Sequence, residues 1–223
     1  MTCIENDIPN VRIIREPPIN VNRSVCAQGM APKINSLISF DDYNLPNVFT
    51  NENELCKRED LGMEAFDTPT VYNIECEENR AKIENYILKV INMVDTEAKS
   101  HNYQPNDFSF TFPMTQGNLI APELETKLND YWINQFPDND RYMNYAFLHK
   151  HQEGQSTDMS ESEEASRIVT IRTSKGDGRK AVFVLECTEV ARCDQIDLIY
   201  ESYLHVALTR AKEKIHFGIS IKK

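Results

Sequence analysis

The chain has 223 residues, of which 40% are hydrophobic and 26% charged, with seven glycines and ten prolines. These proportions fit a globular protein and exclude collagen-like, low-complexity and wholly disordered chains. The 24 basic and 35 acidic residues give a net charge of −11, which argues against a protein that coats nucleic acid through its overall charge. A nucleic-acid role therefore needs a local patch.

The cysteines and the apolar runs indicate a compartment. The six cysteines include no C-x-x-C pair, which predicts reduced thiols, no disulfide framework and no metal site. No apolar run reaches the roughly 20 residues that span a bilayer, and the first residues lack a signal-peptide pattern. We therefore expect a soluble, intracellular protein without a membrane partner.

The first third of the chain is predicted to hold few regular elements. Residues 1–19 are expected to form an extension, with a short β-like piece at 11–14 before Pro17 and Pro18. A short helix is expected after Pro32, followed by an irregular, surface-lying connector over 40–69. The segment 70–76, TVYNIEC, is rich in β-forming residues and is predicted to be a strand.

The middle of the chain alternates helical and strand patterns. Apolar residues spaced three and four apart predict a helix packed on a sheet; they are Ile83, Tyr86, Ile87, Val90, Ile91 and Val94. DFSFTFP then predicts a strand that ends at Pro113, followed by the loop residues 114–118. The run APELETKLNDYWINQF predicts a second helix, in which Trp132 and its aromatic neighbours are expected to pack in the core.

The last third contains a long acidic segment and three further strand patterns. NYAFLHK at 144–150 predicts a strand, and residues 151–166 carry five carboxylates without a Lys or Arg, which indicates a solvated loop. RIVTIRT and AVFVLE predict two strands around the turn SKGDGR. A helix is predicted over 198–212 and a closing strand over 215–221. His149 and His151 are expected at the surface.

This alternation predicts an α/β fold with a mainly parallel sheet covered on both faces. In such sheets ligands bind at the carboxyl ends of the strands, where the loops TQGN and TSKGDGR are expected to lie. Taken alone, SKGDGR is either a tight turn with incidental charge or a loop whose backbone amides approach phosphate. Arg210, in an apolar segment, either pairs locally or serves as an arginine finger.

Together these segments resemble the UvrD/Rep-like superfamily 1 DNA helicases. TIRTSKGDGRKAVFVL and YESYLHVALTRAKEKIHFGI resemble the family's motifs V and VI, roughly T-x-H-x-x-K-G-L-E-F and Y-V-A-L-T-R-A-K. The match of ALTRAK at 207–212 is specific. INVNRSV resembles motif IV, and the strand, polar loop and L-E-x-x-L helix at 107–132 resemble the segment between motifs IV and V. The overall character of the sequence is similar to that of helicases of large DNA viruses.

The resemblance implies a RecA-like domain over 20–223, the second of two such domains in a motor. It makes Arg210 and Arg23 the arginines that contact the γ-phosphate of ATP, and it places Lys175, Gly176 and Gly178 at the nucleotide. It implies that single-stranded DNA is contacted by Arg172, Thr173, Ser174, Thr115 and Asn118. Mg²⁺ accompanies ATP, and the first RecA-like domain is the expected partner, in cis or in trans.

Several residues depart from the family pattern. Arg172 stands where the family has a DNA-contacting His, and Gly178 stands where a Glu binds the ribose. His205 replaces the Tyr of motif VI, and Val21-Asn22 precedes Arg23 where Asn-Tyr is expected. The Walker A pattern G-x-x-x-x-G-K-[ST] does not occur in the sequence. The chain alone is therefore expected to be inactive in ATP hydrolysis.

The main hypothesis is thus the second motor domain of an ATP-dependent DNA helicase, either a C-terminal half or one subunit of a two-chain enzyme. The location would be the cytoplasm, or a viral factory if the protein is viral. The alternative is a non-catalytic module of the same fold that binds single-stranded nucleic acid or a replication protein. The net charge of −11 and Gly178 favour the alternative, whereas Arg210 and Lys175 favour the motor.

Overall fold

The computed structural model describes residues 61–69, 76–113, 118–136, 143–150, 158–174, 177–187 and 206–219. They form a single six-stranded sheet in which every pairing is parallel, in the order β1-β6-β5-β2-β4-β3. The strands are β1 (Gly62–Asp67), β2 (Phe108–Phe112), β3 (Ala146–Leu148), β4 (Ser166–Thr170), β5 (Arg179–Cys187) and β6 (Ala211–Ile219). The predicted α/β class with a parallel sheet is confirmed, and the architecture is consistent with a RecA-like fold.

Helix α1 (Glu77–His101) is the long helix that the apolar spacing predicted. Its buried stripe is Ile83, Tyr86, Ile87, Val90 and Val94, one face of a 3.6-residue period. Two acidic residues in its first turn and two basic residues in its last turn complement the helix dipole. The helix ends at Asn102, whose φ of 55° lies in the left-handed region and whose N–H donates to the Ala98 carbonyl.

Helix α2 (Ile120–Gln135) contacts α1 and covers the β3 and β4 side of the sheet. Trp132 is 1% exposed, and its Nε1–H donates to Ser166 Oγ at 3.1 Å. The prediction that this aromatic residue packs in the core is confirmed. Under the two helices lies an aromatic layer formed by Phe108, Phe110, Phe112, Phe183 and Trp132. Burial of each ring contributes about 1.5–3 kcal/mol to stability.

The opposite face of the sheet is also buried at its centre. Side chains alternate across the two faces of a strand, and the residues that point away from α1 and α2 are almost fully inaccessible. They include Thr111, Val169, Val182, Val184 and Ile215. The central strands therefore read as continuous apolar runs, as strands covered on both faces do.

Three sequence predictions are corrected by the structure. The connector over 40–69, predicted to be irregular, contains strand β1 at the sheet edge. The helix predicted over 198–212 is helical at 206–208 but has ended before residue 211, where β6 begins. The acidic segment 151–166 is not only a solvated loop, because Ser162 and Ser166 are fully buried and Ser166 starts β4.

A fourth correction concerns His149, which was expected at the surface. It is 9% exposed, and its Nε2 lies 2.7 Å from Ser162 Oγ. Other predictions fall outside the described residues, namely the piece at 11–14, the helix after Pro32 and His151. Of the strand predicted over 70–76, only Cys76 is described, and it is the N-cap of α1. In the described part of the chain, no helix is both long and apolar enough to cross a membrane.

Candidate functional site

The predicted site residues lie at the two ends of the parallel strands, which are named below as edges and are distinct from the outer strands β1 and β3. We call the edge where β2, β4, β5 and β6 begin the amino edge, and the edge where they end the carboxyl edge. The segment between β4 and β5 leaves the carboxyl edge at Ile171 and reaches the amino edge at Gly178. The five residues of β4 separate the two edges by roughly 15 Å.

At the amino edge, the strand that follows the predicted motif V turn begins beside the strand that follows the predicted motif VI arginine. β5 begins at Arg179 and β6 begins at Ala211, and these two residues are register partners. The Arg179 N–H donates to the Arg210 carbonyl at 3.2 Å. The structure therefore brings together Gly178 and Arg210, two residues predicted to contact the nucleotide. They meet at the amino edge, whereas the sequence predicted the nucleotide site at the carboxyl edge.

The Arg210 side chain is 2% exposed and points back onto its own turn. Its Nε donates to the Val206 carbonyl at 3.1 Å, and its Nη2 donates to Thr209 Oγ1 at 3.0 Å. Arg210 lies in the turn after the helical residues 206–208 rather than on the helix. A role at a phosphate requires the guanidinium to exchange these bonds for a ligand.

A polar cavity of about 450 Å³ opens beside Gly178. Its lining carries four basic and four acidic side chains: Arg167, Arg179, Lys180, Lys212, Asp107, Glu163, Asp177 and Glu213. Opposite charges in equal number give no strong net field for a polyphosphate. The glycine and the lysines fit an anionic ligand, whereas the carboxylates fit hydroxyl groups.

The path of the chain into Gly178 is fixed by two arginines. Arg167 Nη1 lies 2.8 Å from Asp177 Oδ1. The Arg179 guanidinium donates to the carbonyls of Asn106, Glu163 and Ser162, and burial lowers the pKa of Arg179. The Arg179 side chain thus holds the main chain around the turn.

At the carboxyl edge, residues 170–174 form a closed turn after β4. Thr173 N–H donates to Thr170 Oγ1 at 3.1 Å, and the two threonine hydroxyls lie 2.8 Å apart. Ser174 is 1% exposed, and its hydroxyl donates to the Ile171 carbonyl at 2.7 Å. Of the three predicted DNA residues here, Arg172 is the exposed one, and the hydroxyls of the other two serve the turn.

Asn118 lies near the same edge, because β2 ends beside β4 and the Ile171 N–H donates to the Phe112 carbonyl at 2.8 Å. Asn118 Oδ1 accepts the N–H groups of Ile120 and Ala121 at 2.9 and 2.7 Å, which caps helix α2. Its Nδ2 donates to Glu186 Oε2. Asn118 is thus a cap in this structure, and its predicted DNA contact stays a prediction.

Glu186 is a residue that the sequence did not single out. It sits at the end of β5 with φ of 57°, in a register shift between β5 and β6, as residues of β-bulges do. Burial raises the pKa of its carboxyl, and the hydrogen bond from Asn118 opposes that effect. Nothing in the continuous apolar run AVFVL before Glu186 marks this bulge.

Four predicted site residues fall outside the described part of the chain: Arg23, Lys175, Gly176 and Thr115. Their proposed roles stay predictions. The structure thus brings Gly178 and Arg210 together at the amino edge, whereas Arg172 and Asn118 lie at the carboxyl edge.

Comparisons with known proteins show a distant likeness to a solved structure. No family model matches the sequence, and no curated protein matches it. Among solved structures, the chain is similar to the C-terminal domain of a possible DNA helicase from Lactobacillus plantarum WCFS1, with 9% identity and a TM-score of 0.40. The match covers 76% of this chain and 77% of the other. A likeness this distant does not bear on function.

Proposed function

We propose that the chain is the second motor domain of an ATP-dependent DNA helicase of the UvrD/Rep-like type. The observation that carries the proposal is the adjacency of Gly178 and Arg210 at the amino edge, joined by the hydrogen bond from Arg179 N–H to the Arg210 carbonyl. The motif resemblance assigns these two positions independently to the nucleotide. A common site requires them to be neighbours in space although 31 residues separate them in sequence.

In this proposal the first RecA-like domain binds ATP and Mg²⁺, and closing of the two domains brings the amino edge to the nucleotide. Arg210 then leaves the Val206 carbonyl for the γ-phosphate, together with Arg23. An arginine supplied in this way is worth about 10³–10⁵ in the rate of phosphoryl transfer. The lost hydrogen bonds to neutral oxygens of the turn are replaced by stronger ones to the charged oxygens of the phosphate.

DNA is assigned to the carboxyl edge. Arg172 is exposed there, and a guanidinium contacts phosphate oxygens without reading sequence. Thr115 is a further contact that the resemblance implies. In this proposal the nucleotide site and the DNA site are separated by the length of the β-strands. Hydrolysis of ATP at the amino edge then moves the single-stranded DNA that is bound at the carboxyl edge.

The test is single-stranded-DNA-stimulated ATP hydrolysis by the chain mixed with the polypeptide that carries the first RecA-like domain. We expect no turnover by the chain alone, turnover in the mixture, and loss of about 10³-fold or more with Arg210→Ala. Arg80→Ala is the matched control, because Arg80 is an exposed arginine on α1, and it should leave the rate unchanged. Equal rates for both variants would exclude the arginine role.

Two observations favour the alternative, a non-catalytic module of the same fold that binds single-stranded nucleic acid or a replication protein. Arg210 is buried and bonded within its own turn, and Gly178 offers no carboxylate to a ribose. On this alternative the mixture stays inactive. The chain alone then binds an oligonucleotide or a replication protein, and Arg172→Ala, not Arg210→Ala, weakens oligonucleotide binding.

A further inference from the structure

A second cluster of polar side chains lies away from both edges and lines a cavity of about 500 Å³ beside α1. Three elements converge there: Glu64 from β1, Glu97 from α1 and His216 from β6. One nitrogen or oxygen atom from each lies within 4.8 Å of the others. Glu97 and His216 are 5% and 1% exposed, whereas Glu64 is exposed.

The imidazole of His216 is held in one orientation. Its ring stacks on Phe183 with centroids 4.4 Å apart and planes at 19°. Its Nε2 lies 2.9 Å from Glu97 Oε1. Lys214 Nζ lies 3.7 Å from the same Glu97 oxygen, and a carboxylate paired with an ammonium acts only as a hydrogen-bond acceptor. The carboxylate therefore accepts, and Nε2 carries the proton.

This orientation leaves the other ring nitrogen, Nδ1, without a hydrogen-bond partner among the described residues, although it is buried. A buried polar atom without a partner is rare in native proteins, and a bound ion is one way in which such an atom is satisfied. Glu64 Oε2 lies 3.6 Å from Nδ1. Two ligands that each bind a metal ion at about 2.0–2.1 Å, at an open angle, have this separation.

We propose that His216 Nδ1 and Glu64 Oε2 bind a divalent cation of the Zn²⁺ class, with Glu97 as the outer carboxylate that orients the imidazole. A metal-bound histidine usually donates its second N–H to a carboxylate in this way. One imidazole and one carboxylate suit Zn²⁺ better than Mg²⁺ or Ca²⁺, which prefer oxygen ligands alone. Water in the cavity completes the coordination.

Lys214 sets the strength of the site. Its Nζ lies 2.7 Å from Glu64 Oε1 and 3.7 Å from Glu97 Oε1. The ammonium repels a cation at this distance and competes with it for Glu64. Removal of the ammonium in Lys214→Met should therefore tighten binding by at least about tenfold. The absence of a C-x-x-C pair predicted no metal site, but this group needs no cysteine.

The test is calorimetric titration of the purified chain with Zn²⁺. Because the six cysteines can also bind Zn²⁺, the informative quantity is the difference between variants. Glu64→Gln should remove one equivalent of binding, and Glu97→Gln should weaken that equivalent by about 10–100-fold. Glu84→Gln, an exposed glutamate on the same helix as Glu97, should retain it.

His216→Gln would alter a buried residue and can fail to fold, so the test relies on Glu64→Gln instead. Folding of that variant is checked separately. Glu64 is exposed, so its variant is expected to keep the parent's circular dichroism, and Zn²⁺ should raise the Tm of the parent but not of Glu64→Gln. Equal stoichiometry in the parent and Glu64→Gln would mean adventitious binding elsewhere and overturn the site. Unchanged or weaker binding by Lys214→Met would overturn the proposed geometry. None of these outcomes depends on helicase activity.

Discussion

His149 shows how one buried side chain ties a loop to the sheet. Its Nε2 lies 2.7 Å from Ser162 Oγ, and the same oxygen accepts Arg167 Nε–H at 2.9 Å. Burial lowers the pKa of His149, and the charge of Arg167 lowers it further, against the opposing effects of Glu161, Asp177 and Asp158. The folded state therefore favours the neutral imidazole.

This shift predicts a pH dependence of stability. The unfolded chain binds a proton at His149 more readily than the folded chain, so the stabilisation is complete above the ordinary histidine pKa of 6.5 and declines as the pH falls toward the folded pKa. We expect the free energy of unfolding in urea to drop as the pH is lowered through 6.5. The drop should be smaller in His149→Gln, and equal drops would contradict the assignment.

Between elements, a glycine sets the approach of α1 to the edge of the sheet. A Cβ on Gly218 in β6 would lie 2.5 Å from Thr68 Oγ1 and 2.9 Å from Tyr86 Oη, two oxygens that lie 3.1 Å from each other. Gly218→Ala should destabilise the protein by about 1–3 kcal/mol in urea unfolding, because the new methyl overpacks the contact. Adding Thr68→Ala should recover part of the loss. A stable Gly218→Ala variant would show that this contact is loose.

The short strand β3 is held to α2 by two side chains, Asn129 and Glu125, and Glu125 Oε1 accepts the Leu148 N–H at 2.7 Å. Asn129 Oδ1 accepts the N–H groups of Tyr145 and Ala146 at 2.7 and 3.0 Å, and its Nδ2 donates to the Ala146 carbonyl at 3.1 Å. Asn129→Ala should cost about 1–3 kcal/mol in urea unfolding, because buried backbone groups lose their partners.

Hydrogen exchange locates that effect. The amides of Tyr145 and Ala146 should exchange faster in Asn129→Ala, while those of β5 change only with global stability. Asn134→Ala, an exposed asparagine on the same helix, should change neither. Unaltered exchange at Ala146 in the Asn129 variant would mean that Asn129 does not hold β3 in place.

The elements that the sequence predicted well are those in which local pattern and burial agree. The apolar stripe of α1 and the β-rich runs of β2, β4 and β5 are examples, because each packs the face that its period presents. Strand β1 escaped prediction since an edge strand with a glycine and two acids, GMEAFD, lacks a clear period. The helix-forming run at 207–212 misled at its end. Ala211 and Lys214 pair across the sheet, and tertiary pairing overrides propensity there.

For the whole molecule, the identities of the candidate residues came from motif resemblance, but their placement did not. The carboxyl-end rule predicted both Arg172 and Gly178 at the carboxyl edge. The segment that follows β4 leaves that edge and reaches β5 at the other, so Arg172 lies at the carboxyl edge and Gly178 at the amino edge. The neighbourhood of Gly178 and Arg210 depends on β5 lying beside β6. That is a long-range pairing which no local pattern encodes.

The proposed binding of the nucleotide at the amino edge and of DNA at the carboxyl edge is tested most directly by hydrogen exchange on the chain assembled with the first RecA-like domain. A non-hydrolysable ATP analogue should slow exchange at the amino edge, in the peptides that contain Gly178 and Arg210. An oligothymidylate should slow exchange at the carboxyl edge, around Arg172 and Asn118. Protection of the carboxyl edge by the nucleotide, or no protection of the amino edge, would contradict the proposed motor domain.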